Sequence, residues 1–409
     1  MKGLKEQILE SVRQDLVEIE VALTDNLKPY LPLVSHVAKY IMFSGGKRIR
    51  PLLMVLSARL CGYRGNYDKT LSVVFEYLHA ATLLHDDLVD GADMRRGNPV
   101  AHSIWGNPAT VLVGDFLLAR SIAIAARTNS VTIIDTLAHT TAQMSEGEIH
   151  QLLHRGDIAV DEKDYTEMIT RKTAYLIQAA CQVGGLLAEA PGEQVQALAD
   201  YGYHFGIAFQ MADDLLDYMG DTRVIGKTTG ADLREGKLTL PVIYALDCAI
   251  REDRRRLETI IRDMVALTPT QTLPPWPRPR PRPGLDEQQP DCGMSRQGGP
   301  GFQWQQLTSR TSRQSGLEGG RQGGGEGIEG RREAVSLSPN GELLRDVDAK
   351  HADFETVLEL INKYGGIAYT RDRARQHIEH AKKCLEIFDA SQARTLLEHL
   401  ADYVLVREM

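Results

Sequence analysis

The sequence predicts an all-α protein. Apolar residues recur at three- and four-residue spacing through residues 1–267, and the longest apolar runs are rich in Ala and Leu, both strong helix formers. No stretch shows the alternating pattern of a half-buried strand. The first element, "MKGLKEQILESVRQDLVEIEVAL", is amphipathic and rich in acids. It lacks the uninterrupted apolar centre of a signal peptide. A second helix carries Val73, Val74, Tyr77, Leu78, Ala81, Leu84 and Leu88 on one stripe. "GDFLLARSIAIAAR" and "KTAYLIQAACQVGGLLAEA" read as helices buried on most faces. Turns rich in Gly, Pro and Asn punctuate them, among them "SGGKRIRP", "RRGNPVAHSIWGNPA", "EAPGEQ" and "GDTRVIGKTTG".

The pattern stops at residue 268. Residues 268–340 hold 10 of the 17 prolines and 13 of the 36 glycines, with nine arginines, no lysine and no apolar period. Such a segment cannot bury enough surface to offset its ordering entropy, so it is expected to be a disordered insertion. Its "PWPRPRPRP" run could alternatively be a polyproline ligand. Helical periodicity returns near residue 350. The expected organisation is residues 1–267 and 341–409 as two parts of one helical domain, with 268–340 between them.

A net charge of -8 gives no reason to expect nucleic-acid binding. Five scattered cysteines, without CxxC or CxxH pairing, suit reduced thiols and a cytoplasmic location. No uninterrupted run of apolar residues reaches bilayer length, so no transmembrane segment is expected.

The chemistry is concentrated in a few motifs. "LLHDDLVDGADMRRG" places Asp86 and Asp90 on one helix face, Asp87 on the flank, and His79 two turns earlier on nearly the same stripe. "FQMADDLLDYMGD" repeats the DDxxD pattern 127 residues later, with Asp213, Asp214 and Asp217. One such cluster could be a solvated helix end; two, each in an apolar helix, call for cations. All-oxygen ligands without a His or Cys cluster beside them point to Mg²⁺, an ion that also takes substrate phosphates. The basic residues agree. "SGGKRIRP" sets Lys47, Arg48 and Arg50 at a helix start, where cations are misplaced unless an anion binds. Arg95 and Arg96 follow the first acid cluster, and Lys172-Thr173, Lys227 and Lys237 complete the set. Singly each reads as a surface charge. Together with paired metal sites they describe a pocket for two diphosphates.

In combination and order, "GGKRIRP", "LLHDDLVDGADMRRG", "RKTA", "GIAFQMADDLLD" and "GKTTGADLREGKLTLP" resemble the all-trans polyprenyl diphosphate synthases. That family makes octaprenyl, heptaprenyl and solanesyl diphosphates. The resemblance covers residues 1–267 and 341–409. It implies a single large helical bundle of the isoprenoid synthase type with a central cavity, acting as a prenyltransferase and as a homodimer. It implies that Asp86, Asp87, Asp90, Asp213 and Asp217 hold Mg²⁺, three ions per site. Arg95, Lys172, Thr173, Gln210, Lys227 and Lys237 would then bind an allylic diphosphate such as farnesyl diphosphate. Lys47, Arg50, His79 and Arg96 would bind isopentenyl diphosphate. Ala81 and Thr82, about one turn below Asp86, would set product length, and peripheral membrane contact would serve product release. The implied long-chain product would suit a quinone side chain. Other readings stay open: a shorter-chain synthase, a class I terpene cyclase, an HD-type phosphohydrolase using "HDD" at 85–87, and a non-catalytic subunit of a two-subunit synthase.

Overall fold

A computed structural model describes residues 3–219, 230–266 and 353–406. The disordered insertion expected at 268–340 and Lys227 both lie outside the described residues. Residues 1–274 and 345–409 cluster as one compact unit, and only that unit is described below.

The chain starts with α1 (Leu4–Leu27), α2 (Pro32–Phe43), α3 (Ile49–Leu60) and α4 (Asp68–Val89). A short hairpin follows, then α5 (Ala101–Trp105), α6 (Asn107–Ala125) and α7 (Val131–Leu153). Pro sits in the first turn of α2 and α6, where its missing N–H costs nothing. Ser130 caps α7 by accepting from the Ile133 amide. α8 (Glu162–Ile169) begins with a capping box between Asp161 and Asp164 and passes through a wide π-turn, Thr170–Ala174, into α9 (Tyr175–Leu187). α10 (Gly192–Met219), α11 (Ala231–Arg234), α12 (Leu240–Cys248) and α13 (Arg251–Ala266) come next. α14 spans 353–363, α15 Gly366–Cys384 and α16 Gln392–Val406.

α10 lies at the centre, packed along α9 on one side and α15 on the other; α4 packs on α6 and α3, and α3 on α9. The core is continuous, with Tyr77, Tyr165, Tyr201, Phe75 and Phe205 among its largest buried side chains. Gly202 and Gly206 make the α9–α10 contact possible. A Cβ on Gly206 would lie 2.5 Å from the Cα of Ala174, and one on Gly202 2.7 Å from the Cα of Gln178. The absence of side chains there brings the second acid cluster against the π-turn.

One sequence expectation needs amendment, and a second is qualified. The expectation of no strands misses a two-residue pair, Met94–Arg95 against Asn98–Pro99, closed by Arg96 (φ 50°) and Gly97 (φ 78°). Two positive φ angles in a two-residue loop match the turn that fits strand twist. Residues Asn107–Thr128 are also apolar enough to cross a bilayer by length and composition, with a mean hydropathy of 1.7 and 39% of that stretch buried. Asp115 and Arg120 interrupt it, so no unbroken apolar run exists. Val113, Leu117, Ser121 and Ile124 are buried, and Arg120 donates from Nε to the carbonyl of Asn26. One face of the helix is therefore packed into the core, while Val111, Leu112 and Ile122 on it are exposed.

Candidate active site

α4 ends on the first acid cluster, where the helix's own carbonyls make negative charge unfavourable. Each acid is handled differently. Asp87 points inward, 3% exposed, and accepts from Arg95 Nε at 2.8 Å and pairs with its Nη2 at 2.8 Å. The hairpin carrying Arg95 returns that guanidinium to the end of the helix. Asp90 pairs with Lys237 Nζ at 2.8 Å and lies 3.6 Å from Arg155 Nη2. Burial would raise the Asp90 pKa, but Lys237, Lys172 and Arg155 together hold it below the usual carboxylate range. Asp86 goes the other way: burial, then repulsion from Glu148 and Asp90, lifts it to about 7 against the pull of Lys172 and Lys237. The Asp90 amide donates to the Asp86 carbonyl at 2.7 Å, but among the described residues no hydrogen bond reaches the Asp86 carboxylate. A carboxylate raised this far is one that a further cation would stabilise.

The second cluster is also divided. Asp214 is buried, accepting from Tyr165 Oη at 2.6 Å and Gln210 Nε2 at 2.8 Å. Burial, then repulsion from Asp232, lifts its pKa to about 8. Asp217 caps α11, accepting from the Ala231 and Asp232 amides at 3.1 Å each. Asp213 lies near enough to Arg50 and Arg96 to act on both electrostatically. The π-turn supplies Lys172, held by Glu148 at 2.8 Å, and Thr173, which donates to Gln210 Oε1 at 2.8 Å. Thr173, Gln210, Asp214 and Tyr165 thus form one hydrogen-bonded chain. π-turns inside helices concentrate at functional sites. A cavity of about 110 Å³ opens beside them, with Lys172, Gln210, Asp214 and Lys237 at its polar side and Val160, Met168, Ile169 and Leu238 at its apolar side.

A third group is basic. Arg50 is half-buried, its Nε has no hydrogen-bond partner, and burial lowers its pKa. His79 is driven well below its ordinary pKa by burial and then by Arg50, Arg95, Arg96 and Arg48, so it is neutral amid cations. Arg96 donates from Nη1 to the Gly45 carbonyl, which ties the hairpin to the glycine turn. Arg48 is occupied by Glu20 at 2.7 Å and Glu76 at 2.8 Å. Lys47 is exposed, 5.5 Å over the Tyr403 ring. A repelling, under-bonded cation cluster of this kind fits an incoming anion.

The structure therefore brings together Asp86, Asp90, Lys172, Thr173, Gln210 and Lys237, and sets Arg50, His79 and Arg96 within electrostatic reach of one another, with Asp213 acting on both arginines and Arg95 joining them to the end of α4. It does not leave the carboxylates of Asp87 or Asp217 open in the way the motif spacing suggests. Ala81 is buried and Thr82 half-buried, one turn below Asp86 as expected. His85, the histidine of the HD reading, bonds through Nε2 to the Val111 carbonyl at 3.2 Å and packs against Gly114. Sequence reading missed Glu148, Arg155, Tyr165 and Glu235, whose positions here come from tertiary packing. It also missed the His150–His154 pair, which an i, i+4 search for metal ligands would have found.

Comparison with known proteins identifies the family. A family model described as polyprenyl synthetase matches residues 31–268. The octaprenyl diphosphate synthase of Escherichia coli is 41% identical over 256 residues, 63% of this chain and 79% of that one. The crystal structure of a Caulobacter crescentus polyprenyl synthase, complexed with calcium and isoprenyl diphosphate, superposes with a TM-score of 0.73 at 30% identity. The match covers 99% of this chain and 98% of that chain. A Rhodobacter capsulatus decaprenyl diphosphate synthase gives 0.73 at 31% identity, with 99% of each chain covered. Twin acid clusters on a central helical bundle, matched in sequence and in fold over most of the chain, establish that the chain belongs to the polyprenyl synthetase family.

Proposed function

We propose that this protein is a long-chain trans-prenyltransferase that adds isopentenyl diphosphate units to an allylic diphosphate primer. The observation that carries the assignment is the division of charge. Asp86 and Asp90, with Lys172 and Lys237, form one diphosphate-and-cation site; Arg50 and Arg96, beside neutral His79, form a second in which cations predominate. Octaprenyl diphosphate is the product favoured by the E. coli relative. Farnesyl diphosphate is the primer carried over from the family resemblance.

Asp86, Asp90 and Asp213 would hold Mg²⁺, with Asp217 near it; this fits an oxygen-only donor set and the raised Asp86 carboxylate, which no hydrogen bond reaches among the described residues. Asp87 supports from beneath by fixing Arg95. Bound Mg²⁺ neutralises charge on the departing diphosphate. Lys172, Thr173, Gln210 and Lys237 orient that diphosphate, and Lys227 from outside the described residues joins them. Arg50 and Arg96 clamp the second diphosphate, and neutral His79 donates a hydrogen bond to it without adding charge. With both held, the double bond of isopentenyl diphosphate meets the allylic carbon in a fixed geometry. The exposed apolar side chains of α6, Val111, Leu112 and Ile122, support a homodimer. Free Cys61, Cys181, Cys248 and Cys384 suit a reducing cytoplasm.

The test is incubation with isopentenyl and farnesyl diphosphates and Mg²⁺, with product length read by chromatography. Wild type should give chains well beyond four isoprene units. Asp86→Ala and Asp213→Ala should each lower turnover by ~100-fold or more while leaving helicity intact. Near wild-type turnover in either variant would refute the metal assignment.

A further inference from the structure

Outside the residues assigned above, α7 carries two histidines one turn apart, His150 and His154, at its C-terminal end. Their rings stand edge to face, with centroids 4.5 Å apart. Asp164, in the first turn of α8, completes a trio in which one ligand atom from each residue lies within 4.8 Å of the other two. A tetrahedral ion with bonds of about 2.0–2.1 Å needs its ligand atoms about 3.3 Å apart, which small side-chain rotations from this spacing supply.

The surrounding bonds already prepare the ligands. His154 Nδ1 donates to the His150 carbonyl at 2.9 Å, which leaves Nε2 as the nitrogen with a free lone pair. His150 Nδ1 is buried and has no hydrogen-bond partner. Asp164 accepts from the Asp161 amide through Oδ2 at 3.4 Å, so its other oxygen remains available. Two imidazoles and one carboxylate suit a borderline ion of the zinc class, whereas the aspartate clusters offer only the oxygens that Mg²⁺ prefers. The geometry points to a second metal site at His150, His154 and Asp164, selective for Zn²⁺ and distinct from the Mg²⁺ centre.

An ion there would join the last turn of α7 to the first turn of α8. His154 also lines the cavity that Lys172 and Lys237 share, and the neighbouring Arg155 bonds to the Glu235 carbonyl. Zinc would therefore brace the wall of the prenyl site without contacting its acids.

Zinc is titrated into the full-length protein with excess Mg²⁺ present to fill oxygen-only sites. Binding is followed by calorimetry and by competition with a chromophoric chelator, and Co²⁺ substitution reports the coordination geometry by absorption. Wild type should bind one equivalent, give tetrahedral cobalt bands and melt at higher temperature with zinc. The double variant His150→Gln/His154→Gln should weaken binding by at least about 100-fold, since losing even an outer partner of a ligand costs about 10–100-fold. Asp164→Asn keeps the helix cap and should also weaken binding; it carries the test if circular dichroism shows the double variant misfolded. Asp86→Asn should bind zinc as wild type does. Absence of a zinc equivalent in wild type, retention of it in the histidine or Asp164 variants, or its loss in Asp86→Asn would overturn the assignment.

Discussion

Replacing Asp214 with Asn tests the electrostatics of the site in a single measurement. Asp214 is 3% exposed, and its pKa rises from 3.8 to about 8. A raised acid holds its proton in the native state over a range where the unfolded chain has released it. Stability therefore falls as pH rises from about 4 to about 8, by about 1.4 kcal/mol per pH unit. Between about pH 5 and pH 8 the contribution approaches 4 kcal/mol, a large share of the 5–15 kcal/mol typical of a folded domain. Asn keeps the shape, still accepts from Gln210 Nε2, and can donate to Tyr165 Oη, yet it cannot ionise. Urea unfolding in the presence of a chelator, repeated across that pH range, measures the difference. The variant should lose stability less steeply than wild type, by about 1.4 kcal/mol per unit, and should be the more stable protein at the alkaline end. Asp86, raised to about 7, tilts both profiles in the same direction and cancels from the comparison. Parallel profiles would refute the argument that burial keeps Asp214 protonated.

Gly206→Ala should push α10 from the π-turn and cost about 1–3 kcal/mol, because the added Cβ meets Ala174 backbone. The same variant should raise KM for the allylic primer by loosening Thr173 from Gln210. Ala81→Phe places a ring on a buried face one turn below Asp86. Product analysis should show shorter chains with primer consumption retained, and unchanged length would remove Ala81 from the cavity floor. Exchanging residues 268–340 for a short Gly/Ser linker should preserve folding and activity, since loop closure entropy varies slowly with length. Loss of either would give that segment a role.

Much of this was legible because helical periodicity and clustered charge are local properties of a sequence. The two DDxxD clusters and the basic motifs could be found by spacing alone. Which carboxylate faces the ligand could not. Asp86 and Asp87 are adjacent and chemically identical, and only the hairpin that returns Arg95 beneath α4 separates their tasks. Arg155 reaches Asp90 from the turn after α7, and Tyr165 reaches Asp214 from α8, across separations that leave no local signal. The strands of the hairpin are two residues each, shorter than any alternation can reveal. The π-turn is hidden for a different reason: "TRKTA" carries no local signal of a widened turn, and the close approach of Ala174 to Gly206 is visible only in the fold.

That widened turn has a consequence for how the chain tolerates change. A regular α-helix advances about 100° per residue, so one additional residue in a turn rotates everything downstream by that angle. The widened turn absorbs one such residue without that rotation, so α8 and α9 keep their phase on either side of it. Tyr165 and Ile169 reach the cavity from the first half, while the second half presents Ile177 and Cys181 to the interior beside α10. Deleting one residue between Thr170 and Ala174 would restore regular winding and leave both halves facing as they do, with Tyr165 still on Asp214 and α9 still against Gly202. What it would remove is the local displacement that presents Lys172 and Thr173, so the bundle would survive and the diphosphate contacts would not. In this stretch the length is open to change in a way that those two side chains are not.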